Sequence, residues 1–110
     1  MVGLREFVVA LKDQRDGMFD RYAAPEPRTY VARLLADAAL SDHQKRQVLK
    51  ALDTALTDTF YTILLGLDGA TAFGGLEQQP FVITDESGQV VSSGDGNLEA
   101  LVSEVFGAEA

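Results

Sequence analysis

The sequence predicts a small α+β domain: a layer of three helices with a long central helix, then a β-hairpin and a C-terminal helix. Two observations support this class. Apolar residues recur at helical spacing over most of the first 67 positions, and two β-type runs separated by a short turn containing glycine follow them. A chain of 110 residues has the size of one ordinary domain. We therefore expect residues 1–110 to form a single domain.

The first two helices are predicted from apolar stripes on either side of a proline-containing turn. The first stripe consists of Leu4, Phe7, Val8 and Leu11. We expect this helix to be regular to about residue 13 and to bend or break between the polar run 12–16 and Gly17, because glycine lowers helix propensity. The second helix is predicted from about residue 26 to residue 39, and Pro25 and Pro27 suit its entry.

The third helix is predicted to be the spine of the domain. Ser41 and Gln44 have the spacing of a capping box, which marks a helix start. One apolar face then continues to about Leu67, so roughly 25 residues make a rod about 38 Å long. We expect the first two helices to pack on this rod.

A β-hairpin and a last helix are predicted after a glycine-rich loop. The strands are Phe81–Thr84 and Gln89–Ser92, separated by a four-residue turn. A two-stranded sheet is marginal in water and leaves unpaired edges, so the hairpin could join a second copy in a homodimer or be covered within one monomer. Asn97 is predicted to cap the last helix, which spans about 97–106.

Composition excludes several classes of protein. The chain has no cysteine, which removes disulfides, thiolate metal sites and cysteine nucleophiles and suits a cytoplasmic location. A net charge of −8 argues against nucleic-acid binding, which depends on lysine and arginine. The longest strongly apolar runs, 7–11 and 63–67, are far shorter than the roughly 20 residues that cross a bilayer, and no secretory leader is recognisable. We expect no membrane association.

The charges are distributed unevenly along the chain. All nine basic residues lie within the first 50 positions. Residues 1–55 have nine basic and eight acidic residues, a net charge of +1, whereas residues 56–110 have nine acidic and no basic residues, a net charge of −9; together these give −8. Such an asymmetry favours a basic protein partner on the acidic half, although a merely solvated face has the same composition. The candidate partner-binding residues are Asp85, Glu86 and Asp95.

A second hypothesis places a ligand site on the polar face of the third helix. Asp58 and Tyr61 lie off its apolar stripe and Asp68 follows near its end, so these three could bind a small molecule or serve a small enzyme. A lone histidine, His43, offers no partner for a metal site or a nucleophile pair. We therefore predict no metal and no cofactor, and lean towards a protein that is not an enzyme.

One block of the chain resembles small uncharacterised bacterial proteins, some of which look like immunity proteins of contact-dependent or polymorphic toxin systems. The block comprises Thr57–Gly69, Gly74 with Gly75, and the hairpin from Phe81 to Val91. The resemblance implies a small acidic protein that masks the surface of a partner. The leading hypothesis from sequence is thus a non-enzymatic interaction module that binds a protein through its acidic C-terminal half.

Overall fold

The computed structural model describes residues 2–107 and contains, within them, four helices and one antiparallel β-hairpin. The helices are α1 (Leu4–Ala23), α2 (Tyr30–Asp37), α3 (Asp42–Leu67) and α4 (Asn97–Phe106), and the strands are β1 (Ile83–Thr84) and β2 (Val90–Ser92). The predicted α+β class, with a long central helix, a hairpin and a C-terminal helix, is confirmed.

The first helix is continuous, so the predicted bend after residue 13 is wrong. Arg15 lies on the same face as Val8 and Leu11 and is buried, with 7% of its surface exposed. Its guanidinium forms an ion pair with Asp53 of α3 and donates a hydrogen bond to the Asp53 carbonyl oxygen at 2.9 Å. Arg15 therefore contributes contacts with α3 that offset the low helix propensity of Gly17.

The second helix begins later than predicted. The Thr29 hydroxyl accepts a hydrogen bond from the backbone N–H of Ala32 at 3.1 Å, which makes Thr29 the N-cap. Ala24 is extended because it precedes Pro25, a position that disfavours helix. The packing also differs from the prediction, since α2 contacts α1 more extensively than α3.

The third helix starts and ends where the sequence predicts. Ser41 accepts from the backbone N–H of Gln44 at 3.1 Å while the Gln44 side chain accepts from the backbone N–H of Ser41 at 2.9 Å. The predicted capping box is therefore confirmed. Its 26 residues make a helix about 39 Å long in a molecule whose longest extent is 47 Å.

The hydrophobic core lies where α1, α3 and α4 meet. Its buried residues are Val8, Leu64, Leu98, Val102 and Phe106. Three of these five side chains belong to α4, so the last helix is an integral part of the core. The hairpin adds Val91, which is also buried, and β2 contacts α1.

Candidate functional site

One face of the hairpin is apolar and open to solvent. Thr84 pairs with Val90 across the two strands, so these two residues share one face, and Val82 immediately precedes β1. Val82 is 65% exposed and Val90 57% exposed, whereas Val91, on the opposite face, is buried. We call Val82, Thr84 and Val90 the hairpin face.

The tip of the hairpin presents two carboxylates beside this face. Asp85 accepts hydrogen bonds from the Ser87 hydroxyl at 2.6 Å, from the Ser87 backbone N–H at 2.9 Å and from the Gln89 backbone N–H at 3.0 Å. The Ser87 hydroxyl above all, with these backbone donors, holds the pKa of Asp85 below its ordinary value. Glu86 is exposed and makes no side-chain hydrogen bond with another described residue. Asp85 is therefore ionised at neutral pH. Unlike Asp85, Glu86 does not stabilise the turn through its side chain.

A third carboxylate lies at the base of the hairpin. Asp95 accepts from the backbone N–H of Asn97 and from the Asn97 side-chain amide, both at 3.1 Å. The backbone bond from Asn97, followed by the Ser93 side chain, lowers the pKa of Asp95. The three predicted partner-binding residues thus lie at the two ends of one hairpin, with Asp85 and Glu86 at its tip and Asp95 beyond β2 at its base.

The strand edges are a further feature of this surface. Within residues 2–107, β1 and β2 form a sheet of two strands and pair only with each other. A bulge between Ile83 and Thr84 interrupts the register, and bulges of this kind limit how far another strand can pair. The hairpin therefore combines an apolar face, strand edges that pair with no other described strand and two carboxylates, and a third carboxylate follows it.

The three residues of the predicted ligand site are separated by the structure. Asp58 is exposed and lines a shallow groove with Lys50 and Thr54. Tyr61 shares a hydrogen bond of 3.0 Å with the hydroxyl of Ser103 on α4. Asp68 follows α3, ten residues and about 15 Å along the axis from Asp58. These side chains do not converge on one cleft.

The Asp68 side chain is hydrogen-bonded within the protein. It is buried, with 6% of its surface exposed, and its two carboxylate oxygens accept from the backbone N–H groups of Gly96 at 3.2 Å and Glu99 at 2.9 Å. These donors belong to the start of α4, where backbone N–H groups lack partners within the helix. The predicted cap from Asn97 is wrong, because Gly96 is the N-cap residue and has no side chain to accept.

A purely apolar groove lies between α1 and α3. It has a volume of about 260 Å³, and its lining includes Phe7, Leu11, Phe60 and Ile63, of which Ile63 is 48% exposed. No charged residue lines it. This groove offers area to an apolar group but no polar atom that would orient one.

The described residues include neither a metal-binding cluster nor a helix that could span a membrane. From Val2 to Gly107 there is no group of three or more metal-ligating side chains that could hold a metal ion. None of the helices in that range is both long and apolar enough to traverse a lipid bilayer.

Comparison with known proteins adds no family. No family model matches the chain, and neither a curated protein nor a solved structure matches it.

Sequence reasoning found the carboxylates of the hairpin but missed the apolar residues between them. Val82 and Val90 belong to the β-type runs of the sequence, and such runs do not show which of their faces is buried until the register of the strands is known. Alternation gave a usable signal, since Val82 and Thr84 have the same parity and Ile83 the other.

Proposed function

We propose that this chain is a non-enzymatic interaction module that binds a basic protein through the hairpin face and its flanking carboxylates. The observation that supports the proposal is the pairing of two exposed valines with acidic groups at both ends of the same hairpin. An apolar centre with a charged rim is the usual anatomy of a protein interface. The partner would be masked by occlusion, which is the mode of action that the resemblance to immunity proteins implies.

The electrostatic part of the proposal rests on the lack of lysine and arginine in the C-terminal half of the sequence. No basic residue occurs after Lys50, so no lysine or arginine of the C-terminal half neutralises Asp85, Glu86 or Asp95. These carboxylates would steer a basic partner to the hairpin and orient it there. The valines would supply the area that excludes water from the contact.

The test must separate loss of binding from loss of folding. Reversing Asp85 and Asp95 to lysine would remove acceptors that hold two turns. The variant of choice is therefore D85N/E86Q/D95N, because asparagine keeps an acceptor oxygen in each turn and removes the charge. D13N/D20N/D37N is the matched control, since it removes three exposed carboxylates from α1 and α2.

Tagged wild-type and variant proteins would be used to capture partners from a lysate at about 0.05 M and about 0.5 M salt. We expect one stoichiometric basic protein with the wild type and the control variant at low salt. It should be lost from D85N/E86Q/D95N and at high salt, where the Debye length falls to about 4–5 Å. V82S/V90S should also lose it at low salt. Equal capture by all variants would refute the assignment to the hairpin.

A further inference from the structure

The apolar groove between α1 and α3 is a seam that neither of the other helices covers. α1 contributes Phe7 and Leu11 to its lining, α3 contributes residues between Thr59 and Leu67, and α2 and α4 contribute none. Phe7 and Leu11 are four residues apart, as are Ile63 and Leu67, so each helix presents an apolar ridge to the groove. The apolar face of a helix in a folded domain is normally buried against another element. This seam therefore has room for a further element.

The molecule also has more surface than a compact monomer of its size. Its accessible surface is 7058 Å², whereas about 6,000 Å² is usual for a chain of 11.9 kDa. Its radius of gyration is 16.6 Å, whereas a compact domain of 110 residues has about 13 Å. The excess surface, about 1,000 Å², is comparable with the roughly 800 Å² that each partner loses in a stable interface. The chain thus exposes an extra area of the size that a dimer buries.

The groove differs from the hairpin in the groups that self-association would bring together. A twofold contact joins the same surface of both copies, so a residue near the axis meets its own counterpart. At the hairpin tip, such a contact would bring Asp85 and Glu86 of one copy close to those of the other. No charged residue lines the groove. A chain with a net charge of −8 can therefore pair at the groove without placing carboxylates against each other there.

The groove is less suited to a small molecule than to a second apolar surface. Its polar lining residue is Thr59, whose hydroxyl already donates to the Ala55 carbonyl at 2.7 Å. Sites for small molecules combine apolar walls with a few polar groups that fix the orientation of the ligand. Two helical faces need only complementary shape and apolar area at the centre of their contact.

We propose that a second copy of this chain docks on the groove, so that α1 and α3 of the two copies pack together around a twofold axis. Phe7, Leu11 and Ile63 of each copy would then be covered by the other copy. The groove and the hairpin face share no residue. The dimer therefore goes beyond the proposed binding of a basic partner, and neither depends on the other.

Sedimentation velocity of the full-length chain at low and high salt tests the proposal. Each copy has a net charge of −8, so repulsion between copies opposes the dimer at about 0.05 M salt and is screened at about 0.5 M, where the Debye length is about 4–5 Å. We expect a monomer at the lower salt concentration. At the higher one we expect a dimer with a Kd of about 50 µM or tighter, so that most of the chain is dimeric at about 200 µM. A monomer under both conditions would overturn the proposal and assign the groove to a different partner.

Ile63→Glu tests the contact itself, and Val9→Glu is its matched control. Ile63 is 48% exposed and Val9 is 40% exposed, and each substitution adds one negative charge per copy. Val9 is two positions from Phe7, about 200° around α1, and does not line the groove. Ile63→Glu should abolish the dimer at about 0.5 M salt, because it buries a carboxylate from each copy in an apolar contact. Val9→Glu should leave the dimer intact.

Two further variants separate this contact from a loss of folding and from a dimer through the hairpin. Ile63→Ala adds no charge and should raise the Kd of the dimer about tenfold, since each copy loses apolar area. V82S/V90S should leave that Kd unchanged. Circular dichroism at the lower salt concentration, where every variant should be monomeric, should show wild-type helix content in all of them. A dimer that persists in both Ile63 variants, or that V82S/V90S abolishes, would refute the assignment to the groove, whatever the capture experiment shows for the hairpin.

Discussion

Asp68 caps the helix that contains Glu99: the carboxylate that follows α3 accepts a hydrogen bond from the Glu99 backbone N–H at the start of α4, at 2.9 Å. Its other oxygen accepts from the Gly96 backbone N–H at 3.2 Å. A negative charge at a helix N-terminus is also favourable to the helix dipole. Asp68 and Glu99 are 31 residues apart in sequence, and their contact joins the end of α3 to the start of α4, so Asp68 has a structural role that its sequence position does not reveal.

Replacing Asp68 should destabilise the fold more than replacing Asp58, another residue of the predicted ligand site. Asp68→Ala leaves the backbone N–H groups of Gly96 and Glu99 without their acceptor, which should cost about 1–3 kcal/mol of unfolding free energy. Asp58→Ala is the control and should cost less than about 0.5 kcal/mol, because Asp58 is exposed. Urea unfolding followed by circular dichroism measures both. Equal midpoints would contradict the capping role.

The last helix should be needed for the core rather than only for a surface. Leu98 has no exposed surface and packs in the cluster with Val8 and Leu64, so Leu98→Ala should lower the free energy of unfolding by about 2–5 kcal/mol. Leu34→Ala is the control. Leu34 is 51% exposed on α2, and its truncation should have a much smaller effect. A loss for Leu98→Ala no larger than that for Leu34→Ala would show that α4 does not hold the core together.

Much of the fold could be predicted because its signals are local. The α3 boundaries follow from a capping box and a continuous apolar face, and the α4 range follows from its stripe. What could not be predicted depends on contacts between distant residues. From sequence, Arg15 belongs to a polar run that weakens the helix, whereas in the structure it pairs with Asp53 of α3. From sequence, Asn97 is the expected cap of α4, whereas in the structure Asp68 accepts the hydrogen bond from the start of that helix.

The candidate site shows the same division. The carboxylates at the hairpin are visible in the sequence as an acidic half without basic residues. Their support by Ser87 and Asn97, and the exposure of Val82 and Val90 between them, depend on turn geometry and strand register. The sequence places Asp58 and Tyr61 on the polar face of α3 and Asp68 near its end, but ten residues separate Asp58 from Asp68, about 15 Å along the helix axis.

The base of the hairpin should depend on the absence of a side chain at Gly69. This residue has φ of +81°, and a Cβ atom built on it would lie 2.9 Å from the backbone nitrogen of Pro80. In Gly69→Ala the alanine would adopt a left-handed backbone conformation, and its Cβ atom would force the backbone at Pro80 to move. We expect the free energy of unfolding to fall by about 1–3 kcal/mol. Gly75→Ala, where a Cβ meets open space, should be within about 0.5 kcal/mol of wild type. Thermal unfolding compares the two, and indistinguishable melting temperatures would be the contrary result.

Stability should fall as the pH drops below about 4. The pKa of Asp16 is lowered, chiefly by the hydrogen bond from Lys12. The pKa values of Asp85 and Asp95 are also lowered. A carboxyl whose pKa is lower in the folded protein stabilises it above the unfolded value, 3.8 for these groups, and that contribution disappears as the pH falls through the folded value. Urea midpoints at pH 6, 4 and 3 should therefore decrease. Asp16→Asn should show a shallower decrease, and an unchanged slope would exclude this residue as a contributor.

Salt should act in opposite directions on self-association and on binding to a basic partner. A homodimer of this chain would have a net charge of −16, and pairing two hairpins would bring Asp85 and Glu86 of each copy to the interface, so screening should favour the dimer. Binding of a basic partner should instead weaken as salt rises. Sedimentation velocity of the purified chain at about 0.05 M and about 0.5 M salt measures the first effect. We expect a monomer at low salt. A stable dimer there that V82S/V90S converts to monomer would assign the hairpin face to a second copy and contradict its assignment to a basic partner.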